Sequence, residues 1–118
     1  MSATQTSKSD SAGRHHWIVQ RATAVALVPL VIWFVFTVVS LTGSSYQEVV
    51  AHFNSSWRIS LMAIFVAVVF YHGYLGLQVV IEDYISDASV CMWLLVAVKC
   101  LAILLAVVGI VSTLRIGL

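Results

Sequence analysis

Three long apolar runs restrict this chain more than any other feature of its sequence. Ala22–Leu41 spans 20 residues without a formal charge, Ile59–Ile81 spans 23 with no charge apart from His72, and Val90–Leu114 is interrupted only by Lys99. Each can cross the hydrocarbon of a bilayer, about 30 Å thick, at about 1.5 Å per helical residue. Backbone groups in lipid must be satisfied within their own segment, so the runs are predicted to be helices. Barrel strands would be shorter and would alternate in polarity, which these runs do not. The expected fold class is an all-α membrane protein with three transmembrane helices, at about 22–41, 59–81 and 90–114, in one domain covering 1–118.

Composition excludes the main alternatives. The 118 residues are 61% hydrophobic and 9% charged, against about 25% charged in an ordinary soluble domain. A chain this short has too much surface for its volume to hide that apolar content in an aqueous core. A soluble enzyme domain and a disordered regulator are thereby excluded. Six Lys and Arg against five Asp and Glu leave a net charge of +1, so no nucleic acid or other polyanion is expected as a partner. Cys91 and Cys100 lie in one run, about 13 Å apart on nearly opposite helix faces, and read as small buried hydrophobes rather than a disulfide or metal pair.

The connections predict how the spans are arranged. Thr42–Arg58 is polar, with Gly43-Ser44-Ser45 as a turn signal, and Glu82–Ser89 is short and acidic. Trp17, Trp57 and Trp93 stand at or near span starts, where interfacial aromatics are expected. Lys8, Arg14 and Arg21 precede the first run, against Arg58 in the first loop and Arg115 in the tail, which favours a cytoplasmic N-terminus. The first run is too long for a signal-peptide core and ends without a small-x-small cleavage site, so it is expected to stay as a helix. Met1–Gly13 is polar, Ser/Thr-rich and expected to be flexible. Pro29 should kink or loosen the first helix. Asn54-Ser55-Ser56 matches a glycosylation acceptor, a motif short enough to arise by chance.

Polar groups inside the runs are the candidates for function, because each costs free energy in lipid. His72, 14th in the second run, has Phe65, Gly76 and Val79 within about 20–40° on its helix face. Its imidazole can hydrogen-bond a neighbouring helix, or one nitrogen can ligate haem iron or another metal. A lone histidine cannot hold a non-haem metal, whereas haem needs only one or two axial residues and can take the second from another chain. Lys99 reads as an interior or snorkelled structural residue. Glu82-Asp83-Tyr84 either marks the interface or supplies a phenol and carboxylate to a small polar head with an apolar tail. Arg21, at the start of the first span, either anchors that helix or neutralises propionates through bidentate bonds.

The segment His72-Gly73-Tyr74-Leu75-Gly76-Leu77-Gln78, running on to Asp83-Tyr84, resembles the D-type hydrophobic membrane anchor subunits of bacterial succinate dehydrogenase, complex II. A second segment, His15-His16-Trp17-Ile18-Val19-Gln20-Arg21-Ala22-Thr23-Ala24, sits where that family carries its own, and the likeness extends over about residues 14–118. The resemblance implies a heterodimeric anchor helix bundle in the bacterial inner membrane, multi-pass, formed with a C-type membrane anchor subunit and carrying an iron-sulfur subunit and a flavoprotein subunit. It implies His72 as one axial ligand of a haem b shared with the partner anchor. Gly76 would stand beside the haem, Arg21 near its propionates, and His15 at the family's histidine six residues before that arginine. Tyr84 would donate to a ubiquinone carbonyl, with Asp83 supporting the quinone site. His16 and Lys99 match no assigned role. The C-type anchor's quinone motif is absent from the sequence, which favours the D-type assignment. The implied function is electron transfer from succinate to quinone, with no chemistry on succinate in this chain. A quinol:fumarate reductase anchor and a cofactor-free structural subunit are the alternatives.

Overall fold

The computed structural model describes residues 2–118, with side chains described from Ser11 onward. Four helices follow one another: α1 (Ser2–Ser40), α2 (Tyr46–His52), α3 (Ser56–Tyr84) and α4 (Ala88–Gly117). Three of them, over Ser11–Ser40, Ser56–Tyr84 and Ala88–Gly117, are long and apolar enough to cross a membrane. The all-α class and the three spans expected from the sequence are present, and among the described residues there is no strand.

The helices outrun the apolar runs because hydropathy marks the lipid-crossing part of a helix rather than its ends. Helical backbone begins at Ser2, well before Ala22, and continues through Pro29. Helix α3 starts three residues before Ile59 and carries Glu82, Asp83 and Tyr84 as its last turn. At the next helix, the Asp87 side chain accepts hydrogen bonds from the amides of Ser89 and Val90 at 2.9 and 3.1 Å, capping donors that α4 would otherwise leave open.

The first loop is tighter than its polar composition suggests. Gly43 adopts φ +82° just beyond α1, a left-handed turn that costs a residue without Cβ little. Ser45 then opens α2 with a capping box: its amide donates to Glu48 Oε2 at 2.6 Å and its hydroxyl accepts from the Glu48 amide at 3.3 Å. These bonds hold the Glu48 carboxyl below the usual range, the Ser45 amide contributing most. At the other end of α2, Arg58 Nη1 donates to the His52 carbonyl at 2.9 Å. Burial, and then the nearby Arg58 charge, lower the pKa of His52.

In the bundle, α3 packs against both α1 and α4, while α2 rests against α4. Phe34 of α1 stacks on Phe65 of α3 with ring centroids 4.6 Å apart. On the opposite flank, Gly109 lets α4 close on α3, since a Cβ there would come 2.8 Å from Val66 Cγ1. Hydroxyls within the spans bond back to their own helices, as Thr37 does to Trp33 O at 2.8 Å and Thr113 to Gly109 O at 2.8 Å. The buried core is small, comprising Phe53, Ile59 and Leu75 with Thr37. Most large apolar side chains face outward, as lipid or further membrane helices require.

Candidate functional site

His72 meets α1 at Thr23. Thr23 Oγ1 lies 2.9 Å from His72 Nδ1, across 49 residues of sequence. This contact and the Phe34–Phe65 stack run in opposite chain directions, so α1 and α3 are antiparallel. Residues preceding Thr23 and residues following His72 therefore lie toward the same end of the bundle. His15, His16, Trp17 and Arg21 belong to that end, as do Gln78, Asp83 and Tyr84. Of the residues singled out from sequence, two groups share one end, and His72 lies deeper in the span.

Beside this contact the two helices leave an apolar groove of about 410 Å³ lined by Ala24, Leu27, Val28, Val31, Ile32 and His72. The imidazole is the polar member of that lining. Gly76, one turn further along α3, has nothing within 4 Å of the position a Cβ would take. Its face is open to a neighbour outside the chain. Arg21 lies seven residues before Val28, hence about 20° from it around α1, on the flank of the helix that forms the groove. Its guanidinium sits 5.5 Å from the Trp17 ring centroid, folded back toward the N-terminal end.

The two adjacent histidines differ. His15 is exposed. His16, seven residues before Thr23 and so on nearly the same helix face, is half-buried. Its Nε2 is buried without a hydrogen-bond partner among the described residues. The sequence offers no means to separate the pair, because only the packing of α1 decides which one turns inward.

Tyr84 is 83% exposed at the C-terminal end of α3, and Asp83 beside it is also exposed. Twelve residues separate Tyr84 from His72, about 18 Å along the helix axis. Asp83, eleven residues on, returns to within about 20° of the His72 face, whereas Tyr84 is turned about 120° from it. Gln78 Nε2 donates to Glu82 Oε1 at 3.1 Å, tying together the side chains one turn before that end. Lys99 of α4 faces Tyr74 of α3 across a cavity of about 280 Å³, lined also by Phe70, Tyr71 and Ala102.

Among the described residues, no cluster of three or more His, Cys, Asp or Glu side chains is placed to hold a metal ion. The groove suits a different kind of ligand. A flat apolar group with one metal at its centre needs a single imidazole from this chain, apolar walls, and a cation at its rim if it carries carboxylates. His72 and the Ala24–Ile32 face of α1 supply the first two; Arg21, on the same flank of α1, has its guanidinium over Trp17 rather than in the groove lining. Thr23 is the residue sequence reasoning passed over. It stood inside the quoted segment, but a threonine in a helix ordinarily bonds its own backbone, and nothing local pairs it with His72.

Residues 2–110 match the model of the succinate dehydrogenase/fumarate reductase transmembrane subunit family. Similar proteins include succinate dehydrogenase hydrophobic membrane anchor subunits of two Rickettsia species. That of Rickettsia typhi is 32% identical over 109 residues, covering 92% of this chain and 87% of its relative. That of Rickettsia bellii is 37% identical over 106 residues, covering 88% and 83%. The subunit of the same name from Paracoccus denitrificans is 30% identical over 76 residues, covering 64% and 58%.

Proposed function

The chain belongs to the succinate dehydrogenase/fumarate reductase transmembrane subunit family, and from that membership we propose that it is the D-type anchor of a succinate:ubiquinone oxidoreductase. The observation that carries the reading is His72, its Nδ1 engaged by Thr23, on the wall of an otherwise apolar groove. A half-buried imidazole is costly in a span, and ligation of haem b through Nε2 would account for it. The other ligand would come from the partner anchor, for which the outward-facing apolar side chains of α1 and α3 offer a packing surface. An iron-sulfur subunit and a flavoprotein subunit complete the complex.

A bound haem would supply a one-electron redox centre; this chain's own part is position, dielectric and hydrogen bonding. Arg21, whose guanidinium rests over Trp17, would neutralise propionate carboxylates on turning from that ring toward the groove, with His15 as the further polar group toward that end. Gly76 leaves space beside the imidazole. At the C-terminal end of α3, the Tyr84 phenol donates to a ubiquinone carbonyl oxygen. Asp83, exposed beside it, is the carboxylate that supports the quinone site. This end is cytoplasmic under the basic bias of Lys8, Arg14 and Arg21, in a bacterial inner membrane. The names of the similar proteins favour succinate oxidation over the fumarate-reducing direction.

The test is a reduced-minus-oxidised optical spectrum of the complex purified through a tag on this chain. A b-type haem spectrum, with flavin and iron-sulfur signals copurifying, is expected. A pure complex without haem would return His72 to a packing role.

A further inference from the structure

The Thr23 hydroxyl lies within reach of three groups. Its Oγ1 is 2.9 Å from Val19 O, 3.0 Å from Gln20 O and 2.9 Å from His72 Nδ1. A hydroxyl has one hydrogen and two lone pairs. Both carbonyls can only accept, so the hydrogen belongs on the side of Val19 and Gln20. Turning it toward His72 would leave the hydroxyl lone pairs facing two carbonyl oxygens at about 3 Å. With the hydrogen on the carbonyls, Oγ1 offers a lone pair to His72, and the bond requires a proton on Nδ1. The chain of donation then runs from His72 Nδ1–H to Thr23 Oγ1 and from Thr23 Oγ1–H to the α1 backbone, each bond polarising the next.

We infer that Thr23 is the positioning residue that fixes the tautomer and ring plane of His72, holding its proton on Nδ1 so that Nε2 carries the free lone pair toward a ligand. The inference rests on the haem reading above and goes beyond it, since that reading needs only His72. A histidine that ligates a metal is oriented by whatever its second nitrogen bonds, and that partner also raises the basicity of the first. Here the partner comes from a different helix. The ring is thereby registered against α1, the helix whose Ala24, Leu27, Val28, Val31 and Ile32 form the rest of the groove. One contact sets both the direction of the ligating nitrogen and the wall beside it.

Thr23→Val and Thr23→Ser in the intact complex separate the hydroxyl from the shape of the side chain. Valine keeps the branched shape and removes the acceptor, whereas serine keeps the acceptor. With Thr23→Val, the low-spin electron paramagnetic resonance signal of the haem should move in its extreme g value as the ring plane is released. The midpoint potential should rise as the imidazole becomes a poorer donor, and haem retention on dilution should weaken about 10- to 100-fold. Thr23→Ser should restore the wild-type g value and potential. A Thr23→Val complex with wild-type g values, potential and retention would overturn the inference, and so would a Thr23→Ser complex displaced as far as Thr23→Val. Should Thr23→Val fail to assemble, the serine variant decides alone against Thr23→Ala, the same rescue being required. His72→Ala, measured alongside, tells the two failures apart. If it abolishes the native haem signal while Thr23→Val leaves it untouched, the role of Thr23 falls and the haem reading stands. If His72→Ala changes nothing, both fall.

Discussion

Gly109 and Val66 set the distance between α4 and α3: a Cβ at Gly109 would come 2.8 Å from Val66 Cγ1. Valine is stiff about χ1 in a helix and cannot swing that methyl away. Gly109→Ala should therefore gain helix propensity yet lose stability, by about 1–3 kcal/mol of overpacking. Thermal unfolding of the detergent-solubilised complex checks this. Val66→Ala combined with Gly109→Ala should recover most of the loss, the non-additivity expected of touching residues.

The quinone assignment is tested at Tyr84. Tyr84→Phe removes a neutral hydrogen bond worth about 0.5–1.5 kcal/mol, so KM for ubiquinone should rise about two- to tenfold. Succinate oxidation by an artificial acceptor that bypasses quinone should be unchanged. Asp83→Asn should lower kcat for quinone reduction more than it raises KM if the carboxylate supports the reduction step rather than quinone binding. Steady-state kinetics with both acceptors distinguishes these outcomes from the interface-marker role, which predicts wild-type quinone kinetics in both variants.

Orientation follows from labelling. With Cys91 and Cys100 replaced by alanine, single cysteines at Ser11, Gln47 and Ser86 should react with an impermeant maleimide as two classes. Ser11 and Ser86 should label only in inside-out vesicles, and Gln47 only in right-side-out cells. Gln47 is chosen because it is exposed on α2 and lies outside the Ser45–Glu48 capping box. Labelling of Gln47 from the cytoplasm would invert the topology.

The loop between α1 and α3 should loosen in acid. His52 has its pKa lowered by burial and by Arg58 from an ordinary value of 6.5, so the unfolded loop binds the proton more readily than the folded one. Its contribution to stability is present above about pH 6.5 and is lost as pH falls through the lowered folded value. The Glu48 carboxylate, held low by the capping box, loses its contribution further down, as pH falls through its own lowered value. Amide hydrogen-exchange protection across α2, relative to the intrinsic rate at each pH, should fall in that order. His52→Gln should remove the first step and leave the second.

What the sequence made legible was what depends on composition along the chain. Three uncharged runs sufficed for the spans because lipid admits only helices of that length. The ends were less legible: Glu82, Asp83 and Tyr84 look like a loop by polarity but complete the last turn of α3. Helix α2 carried a readable Ser45-x-x-Glu48 signature, yet seven residues between two long apolar runs pass as connection. His72 stood out because an imidazole inside a span is expensive. Thr23 did not, since its importance arises only when α1 packs on α3, and that packing also turns His16 rather than His15 inward.

Ligation of haem by His72 is the proposal on which the others depend, and near-infrared magnetic circular dichroism of the purified complex reads it out. The wild-type complex should show the charge-transfer band of bis-histidine low-spin haem. His72→Ala should lose that band, giving high-spin or water-ligated haem, while the subunits still assemble around the partner's ligand and the propionate contacts. An unaltered bis-histidine band in His72→Ala would make another residue the true ligand and return His72 to a packing role.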